Sequence, residues 1–279
     1  MHLNFAFTAI QVLWTLTFAA HLVLLVVLLG RDRARRFPWF TTAIVLVALR
    51  LLSSRLLYGR LPAMTMSAVF IVLADLSAVA GLMVVVELSR RAFRCAERRT
   101  WIVATLVLLA LGAGVLAGWG PWPAWKAMKL DSVLAVLGFM QLVAQKASLL
   151  VDVLTVALGL LVVLFGRRYG AGWRSHVQQI VIGLSTASLA QLAVQITWQI
   201  IARTAAPHSM AEYERIVGLR EKLFNANSAV YVVVLVWWIV FLWLDEPGAA
   251  PAVPQLAAGE EAPQEASPVV AELPKSSQE

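Results

Sequence analysis

Three ionisable side chains lie deep inside apolar sequence: Arg50, Asp75 and Asp152. A charge at mid-bilayer costs at least ~2.5–3.5 kcal/mol on insertion scales, so such groups pair with one another or face water. One guanidinium and two carboxylates can meet this requirement in two ways. Arg50 can form a salt bridge to one aspartate and lock neighbouring helices together. Alternatively, all three can line a hydrated pocket open to the exterior, whose excess negative charge suits a cationic group or a proton. Either way one carboxylate is left over, to be protonated, hydrated or neutralised from outside.

A second polar set surrounds these charges. Between residues 174 and 203, Gln178, Ser185, Ser188, Gln191, Gln195 and Gln199 recur at helical steps, with Ile, Leu, Val and Ala between them. That spacing puts all six on one face of a helix. An unpaired amide in hydrocarbon costs several kcal/mol, so the face must turn inward, towards other helices or a wet cavity. Gln11, Asn225, Asn227 and Ser228 fall at a similar depth. The candidate binding residues are therefore Arg50, Asp75, Asp152, Gln191, Gln195, Asn225 and Asn227, arranged as one layer in the outer half of a membrane.

The elements that hold this layer are read from hydropathy. Of 279 residues, 60% are hydrophobic and 14% charged, against roughly 45–50% and about 25% in soluble domains. This excludes an ordinary soluble protein. Seven apolar runs, at 5–30, 38–58, 66–88, 101–119, 144–165, 177–201 and 224–244, are long enough to cross a core of about 30 Å. The expected fold is an all-α, polytopic bundle of seven transmembrane helices over residues 1–246. At ~1.5 Å per residue, Asp75 and Asp152 lie roughly 13 and 12 Å below the outer surface, and Arg50 reaches the same level.

Arginines set the expected orientation. Arg31, Arg33, Arg35 and Arg36 follow the first run, Arg90, Arg91, Arg94, Arg98 and Arg99 the third, and Arg167, Arg168 and Arg174 the fifth; the alternate loops hold fewer basic residues over longer stretches. By the positive-inside rule the first set is cytoplasmic, which puts the N-terminus outside and the C-terminus inside. The net charge of +7 is thereby explained by topology, with no nucleic-acid partner. Trp39, Trp101 and Trp173 mark the inner boundary, and Trp119, Trp122 and Trp125 the outer one.

Several local features add detail. The apolar stretch 131–143 extends the fifth helix outward or forms a separate interfacial helix. Ser209 and Glu212 have capping-box spacing, which starts a helix near Met210 that feeds the seventh run. Glu87 precedes Arg90 and Arg91 by three and four residues, the spacing of a local ion pair. His21 and His176 have no second histidine at helical spacing, so each bonds a neighbouring helix rather than a metal or haem. Cys95 lies in a basic loop, as a free thiol or a palmitoylation site. Residues 247–279, rich in Pro, Ala, Ser and Glu, form a disordered acidic cytoplasmic tail.

Missing features narrow the function. The last run lacks the lysine of a retinal Schiff base. Neither aspartate stands in a glycine-flanked intramembrane protease motif, and no histidine box, nucleophile elbow or phosphate loop occurs. No enzyme, cofactor or metal site is expected. Two junctions, Arg35-Arg36-Phe37-Pro38-Trp39-Phe40 and Trp173-Arg174-Ser175-His176, together with the seven-run layout, resemble a group of uncharacterised bacterial seven-helix integral membrane proteins. More distantly, the layout is similar to the seven-helix N-terminal sensor modules of bacterial histidine kinases, although no kinase follows within these residues. The first group brings no function with it; the leading expectation is a multi-pass protein of the bacterial inner membrane, sensory or receptor-like, in contact with lipid and with a cytoplasmic signalling partner, its ligand unknown. A small transporter or proton-linked carrier, or a structural membrane subunit, is the alternative.

Overall fold

The computed structural model describes residues 9–57, 59–94, 98–118, 132–165, 175–204 and 209–245. Among these there are only helices: α1 (Ala9–Gly30), α2 (Arg33–Arg36), α3 (Pro38–Leu56), α4 (Ala63–Ala92), α5 (Arg98–Gly118), α6 (Val133–Phe165), α7 (His176–Thr204) and α8 (Met210–Trp243). Six of them, α1, α3, α4, α6, α7 and α8, are long and apolar enough to cross a membrane, as expected of a multi-pass helical membrane protein. Their outer faces carry bare aliphatic side chains, among them Val26, Leu29, Leu164 and Val233, each about two-thirds or more exposed. In water such a surface would aggregate; in lipid it is solvated. Cys95, the Trp119–Trp125 cluster, Trp173 and the tail at 247–279 lie outside the described residues.

The same six helices close a ring. In order, α1 packs on α8, α8 on α7, α7 on α6, α6 on α4, α4 on α3 and α3 back on α1, while α5 packs against α6. Small residues set the close approaches. A Cβ at Gly81 would stand 2.8 Å from Val151 Cγ1, one at Gly112 2.9 Å from Leu150 Cδ1, and one at Gly159 2.6 Å from Ser185 Cβ. Glycine at these points lets backbones approach where any side chain would hold them apart.

The end of the ring that holds the α1–α3 connection is tightly closed. Pro38 opens α3, and Phe37 at its N-cap offers no side-chain bond. Glu87 of α4 supplies it instead, its Oε2 accepting the Phe40 N–H at 3.1 Å while its Oε1 pairs with Arg91 at 3.2 Å. The expected local ion pair is present, and the same carboxylate caps a second helix. Arg91 also lies 4.7 Å over the Phe37 ring, which is fully buried. Asp245, after α8, pairs with Arg33 and Arg31 at 3.1 and 3.6 Å, and His176 Nε2 donates to the Leu244 carbonyl at 3.0 Å.

At the opposite end, α6 begins at Val133, which makes the 131–143 stretch an extension of the fifth apolar run from residue 133 onward. Helix α8 begins at Met210 behind Ser209, whose Oγ accepts the Glu212 N–H at 3.3 Å, and runs unbroken into the last apolar segment.

Candidate functional site

The polar face of α7 points into the ring. None of Gln178, Ser185, Ser188, Gln191, Gln195 and Gln199 is exposed. Ser185 donates to the Thr155 carbonyl at 2.9 Å, across the gap that Gly159 leaves open. One turn further, Ser188 donates to Asp152 Oδ1 at 2.9 Å, and then Gln191 Oε1 accepts from Asn227 Nδ2 at 2.6 Å. Successive turns of α7 are thus joined first to α6 and then to α8.

These groups border a central cavity of about 660 Å³, lined by side chains of all six ring helices. Its polar wall holds Asp152, Ser188, Gln191, Asn225, Asn227 and Arg50. Towards the arginine-rich end it stops on apolar side chains. Phe40 and Trp238, each 1% exposed, meet edge to face with centroids 5.1 Å apart, beside Ile44, Val84 and Leu184. Trp238 fits there because Gly183 leaves room for its indole.

Beside this cavity lies a second, of about 850 Å³, lined from α3, α4, α6, α7 and α8. Gln195 belongs to it, with Gln141, Gln145, Lys146, Trp198 and Gln199. Arg50, Ser77, Val151 and Gln191 border both spaces.

The charges occupy three levels rather than one. Helices α4 and α6 meet at Gly81 and Val151. Asp75 precedes Gly81 on α4 and Asp152 follows Val151 on α6, so in this parallel pair Asp75 stands roughly 10 Å further from the arginine-rich end. Counting equal steps from the Glu87···Phe40 bond along antiparallel α3 and α4 sets Arg50 opposite Ser77, between the two carboxylates. The equal depths inferred from hydropathy fail because α4 and α6 both start before their apolar runs, at Ala63 and Val133.

Arg50 accordingly pairs with neither aspartate within 4.0 Å, and among the described residues its guanidinium has no hydrogen-bond partner. Asp152 has one oxygen bonded to Ser188 and the other buried without a partner. Asp75 borders neither cavity, and its Oδ1 is likewise buried and unpartnered. Among the described residues the central cavity therefore carries one acid and one base held apart, not an excess of acid.

Two features escaped the sequence reading. His21, fully buried, has Nδ1 2.7 Å from the Thr17 carbonyl and Nε2 3.0 Å from the Tyr231 hydroxyl. A carbonyl only accepts, so Nδ1 carries the proton and Nε2 accepts from Tyr231. The bond to another helix was expected; Tyr231, which also borders the central cavity, was not identified. Lys146 is 8% exposed and borders the second cavity. It stands near the start of an apolar run, where a single lysine reads as an interfacial residue; its neighbours Gln141 and Gln145 at helical spacing were the available signal.

No group of three or more potential metal ligands occurs among the described residues. The chain matches no protein-family model, no curated protein and no solved structure.

Proposed function

We propose that this is a sensory or receptor-like protein of the bacterial inner membrane that binds a small polar ligand, through a group that donates hydrogen bonds or carries positive charge, in the central cavity. The reading rests on Asp152: a carboxylate at the wall of a cavity of about 660 Å³, with one oxygen engaged by Ser188 and the other without a partner. The volume lies within the usual ~300–1,000 Å³ of small-molecule sites. Arg50 across the same space adds a place for a negative group, so a zwitterion suits the pair better than a simple cation.

In this reading the arginine-rich end is cytoplasmic and the cavity opens outward. Helix α5 crosses as the seventh span, its 21 residues rising roughly 30 Å. A signalling partner docks on the arginine-rich loops. A carrier would need a polar path past Gln178 to the cytoplasmic face; the Phe40–Trp238 floor favours a pocket closed on that side. A purely structural subunit would have the polar layer packed solid, and the cavity argues against it.

The test is a thermal-unfolding screen of the purified full chain against small amines and amino acids. Compounds that stabilise the protein should lose at least about tenfold in apparent affinity in Asp152→Asn and keep it in Asp75→Asn. Stabilisation that Asp152→Asn leaves untouched, or accumulation of the same compounds inside proteoliposomes, overturns the receptor reading.

A further inference from the structure

The second cavity is set apart by its glutamines. The bonds Ser185–Thr155 and Ser188–Asp152 fix how antiparallel α6 and α7 pair. Counting equal steps from them, away from the arginine-rich end, sets Gln195 opposite Gln145 and Gln199 opposite Gln141. All four border this cavity, and among the described residues none of their carboxamides has a hydrogen-bond partner. Gln195 and Gln199 are half-buried, whereas Gln141 and Gln145 are exposed. Two rungs of unbonded amides, one helical turn or roughly 6 Å apart, thus stand beside one opening. We propose that this cavity binds a sugar ring.

A carboxamide carries a donor and an acceptor on neighbouring atoms, and a hydroxyl both donates and accepts. Rungs of amides therefore match a ring of adjacent hydroxyls. Aromatic side chains supply the other requirement. Phe70, Trp198 and Phe224 border the same space from three helices. Arg220 lies 5.1 Å over the Trp198 ring and 5.6 Å over the Phe224 ring, which ties the α7 and α8 rings into one rim. The weakly positive C–H face of a pyranose stacks on the negative face of such a ring. Other occupants fit less well. A cation finds no carboxylate among the lining residues. A wholly apolar group would take water from Gln195 and Gln199 without replacing its hydrogen bonds. Lys146, which already has an interaction of its own, is not needed to hold a neutral ring. The volume of about 850 Å³ admits a mono- or disaccharide, free or as the headgroup of a glycolipid. Both sources present the same hydroxyls.

Trp198 borders this cavity and not the central one, which supplies a reporter. The full chain is placed in phosphatidylcholine nanodiscs and titrated with glucose, galactose, mannose and maltose; in a second arm the discs contain increasing monoglucosyl diacylglycerol. The Trp198 contribution to fluorescence is obtained by difference against Trp198→Phe. A saturable change is expected in at least one arm, weakened at least about tenfold in the double variant Gln195→Leu, Gln199→Leu and unaffected by Asp152→Asn. A response to free sugar alone identifies a soluble ligand, and a response to the glycolipid alone identifies a headgroup. No saturable change in either arm overturns the proposal, as does a change that the double variant leaves intact. If that variant does not fold, Gln141→Leu with Gln145→Leu on the facing helix carries the same test. Because Asp152→Asn should leave this signal intact, failure here is distinguishable from failure of the central-cavity reading.

Discussion

The two ends of the helix ring treat charge in opposite ways. At the arginine-rich end each oxygen of Glu87 has a partner, one on the Phe40 N–H and one on Arg91, and Asp245 binds two arginines. In the other half, Arg50 has no partner among the described residues, and Asp75 and Asp152 each bury one oxygen without one. Both regions contain a carboxylate within a helix flanked by apolar residues. Only the first uses it to hold the fold together. The second keeps Arg50 and Asp152 at a cavity wall, an arrangement that persists where a ligand or ion meets them. Mutations should therefore separate the two: removing charge at the closed end should destabilise, and removing it at the open end should not.

The largest expected effect is at Glu87. Glu87→Ala strips the cap from α3 and leaves the Phe40 N–H and Arg91 without their acceptor. A fully buried pair broken on one side costs ~3–5 kcal/mol; Arg91 is a third exposed, so about 2–3 kcal/mol is expected, read by denaturant titration in detergent micelles. Asp152→Asn in the same assay should leave stability unchanged or raise it. Equal losses at the two sites would end the contrast. Next comes Gly183→Ala, whose Cβ would stand 2.7 Å from Trp238 Cε2. Overpacking of this kind costs ~1–3 kcal/mol. Gly114→Ala, with nothing within 4 Å, should be neutral or slightly stabilising. Tyr231→Phe then leaves the buried His21 Nε2 without a donor, for a loss of about 1 kcal/mol in the same titration.

These effects also mark where sequence was sufficient. The inward face of α7 was legible because helical spacing and the cost of a lipid-facing amide together admit one orientation. The start of α8 was legible because Ser209 and Glu212 act within one turn. Groups that depend on another helix were harder. Glu87 and Arg91 announced their own ion pair, but the bond to Phe40 requires α3 to be laid against α4, which no local pattern encodes. The relative depth of Asp75 and Asp152 failed for a similar reason. Hydropathy locates the apolar part of a helix, and α4 and α6 extend beyond theirs by different lengths, so distances counted from apolar boundaries do not transfer between them. Lys146 was hidden by its place near the start of an apolar run, where a lone lysine reads as interfacial.

The smallest expected effect is the most discriminating. Ser188→Ala removes the hydrogen bond to Asp152 Oδ1, and hydrogen bonds between membrane helices average only ~0.6 kcal/mol. The fold should barely respond, because Ser185–Thr155 and Gln191–Asn227 still tie α7 to its neighbours on the adjacent turns. The carboxylate, however, loses the one side chain that fixes its orientation at the cavity wall. If Asp152 is an anchor for ligand, compounds that stabilise the wild type should bind several-fold more weakly to Ser188→Ala although unfolding is nearly unchanged. If Asp152 serves only to join α6 to α7, the order reverses, and the stability loss should exceed any loss of binding. The ratio of the two measurements, rather than either alone, decides whether the open half of the ring is a site or an imperfectly packed seam.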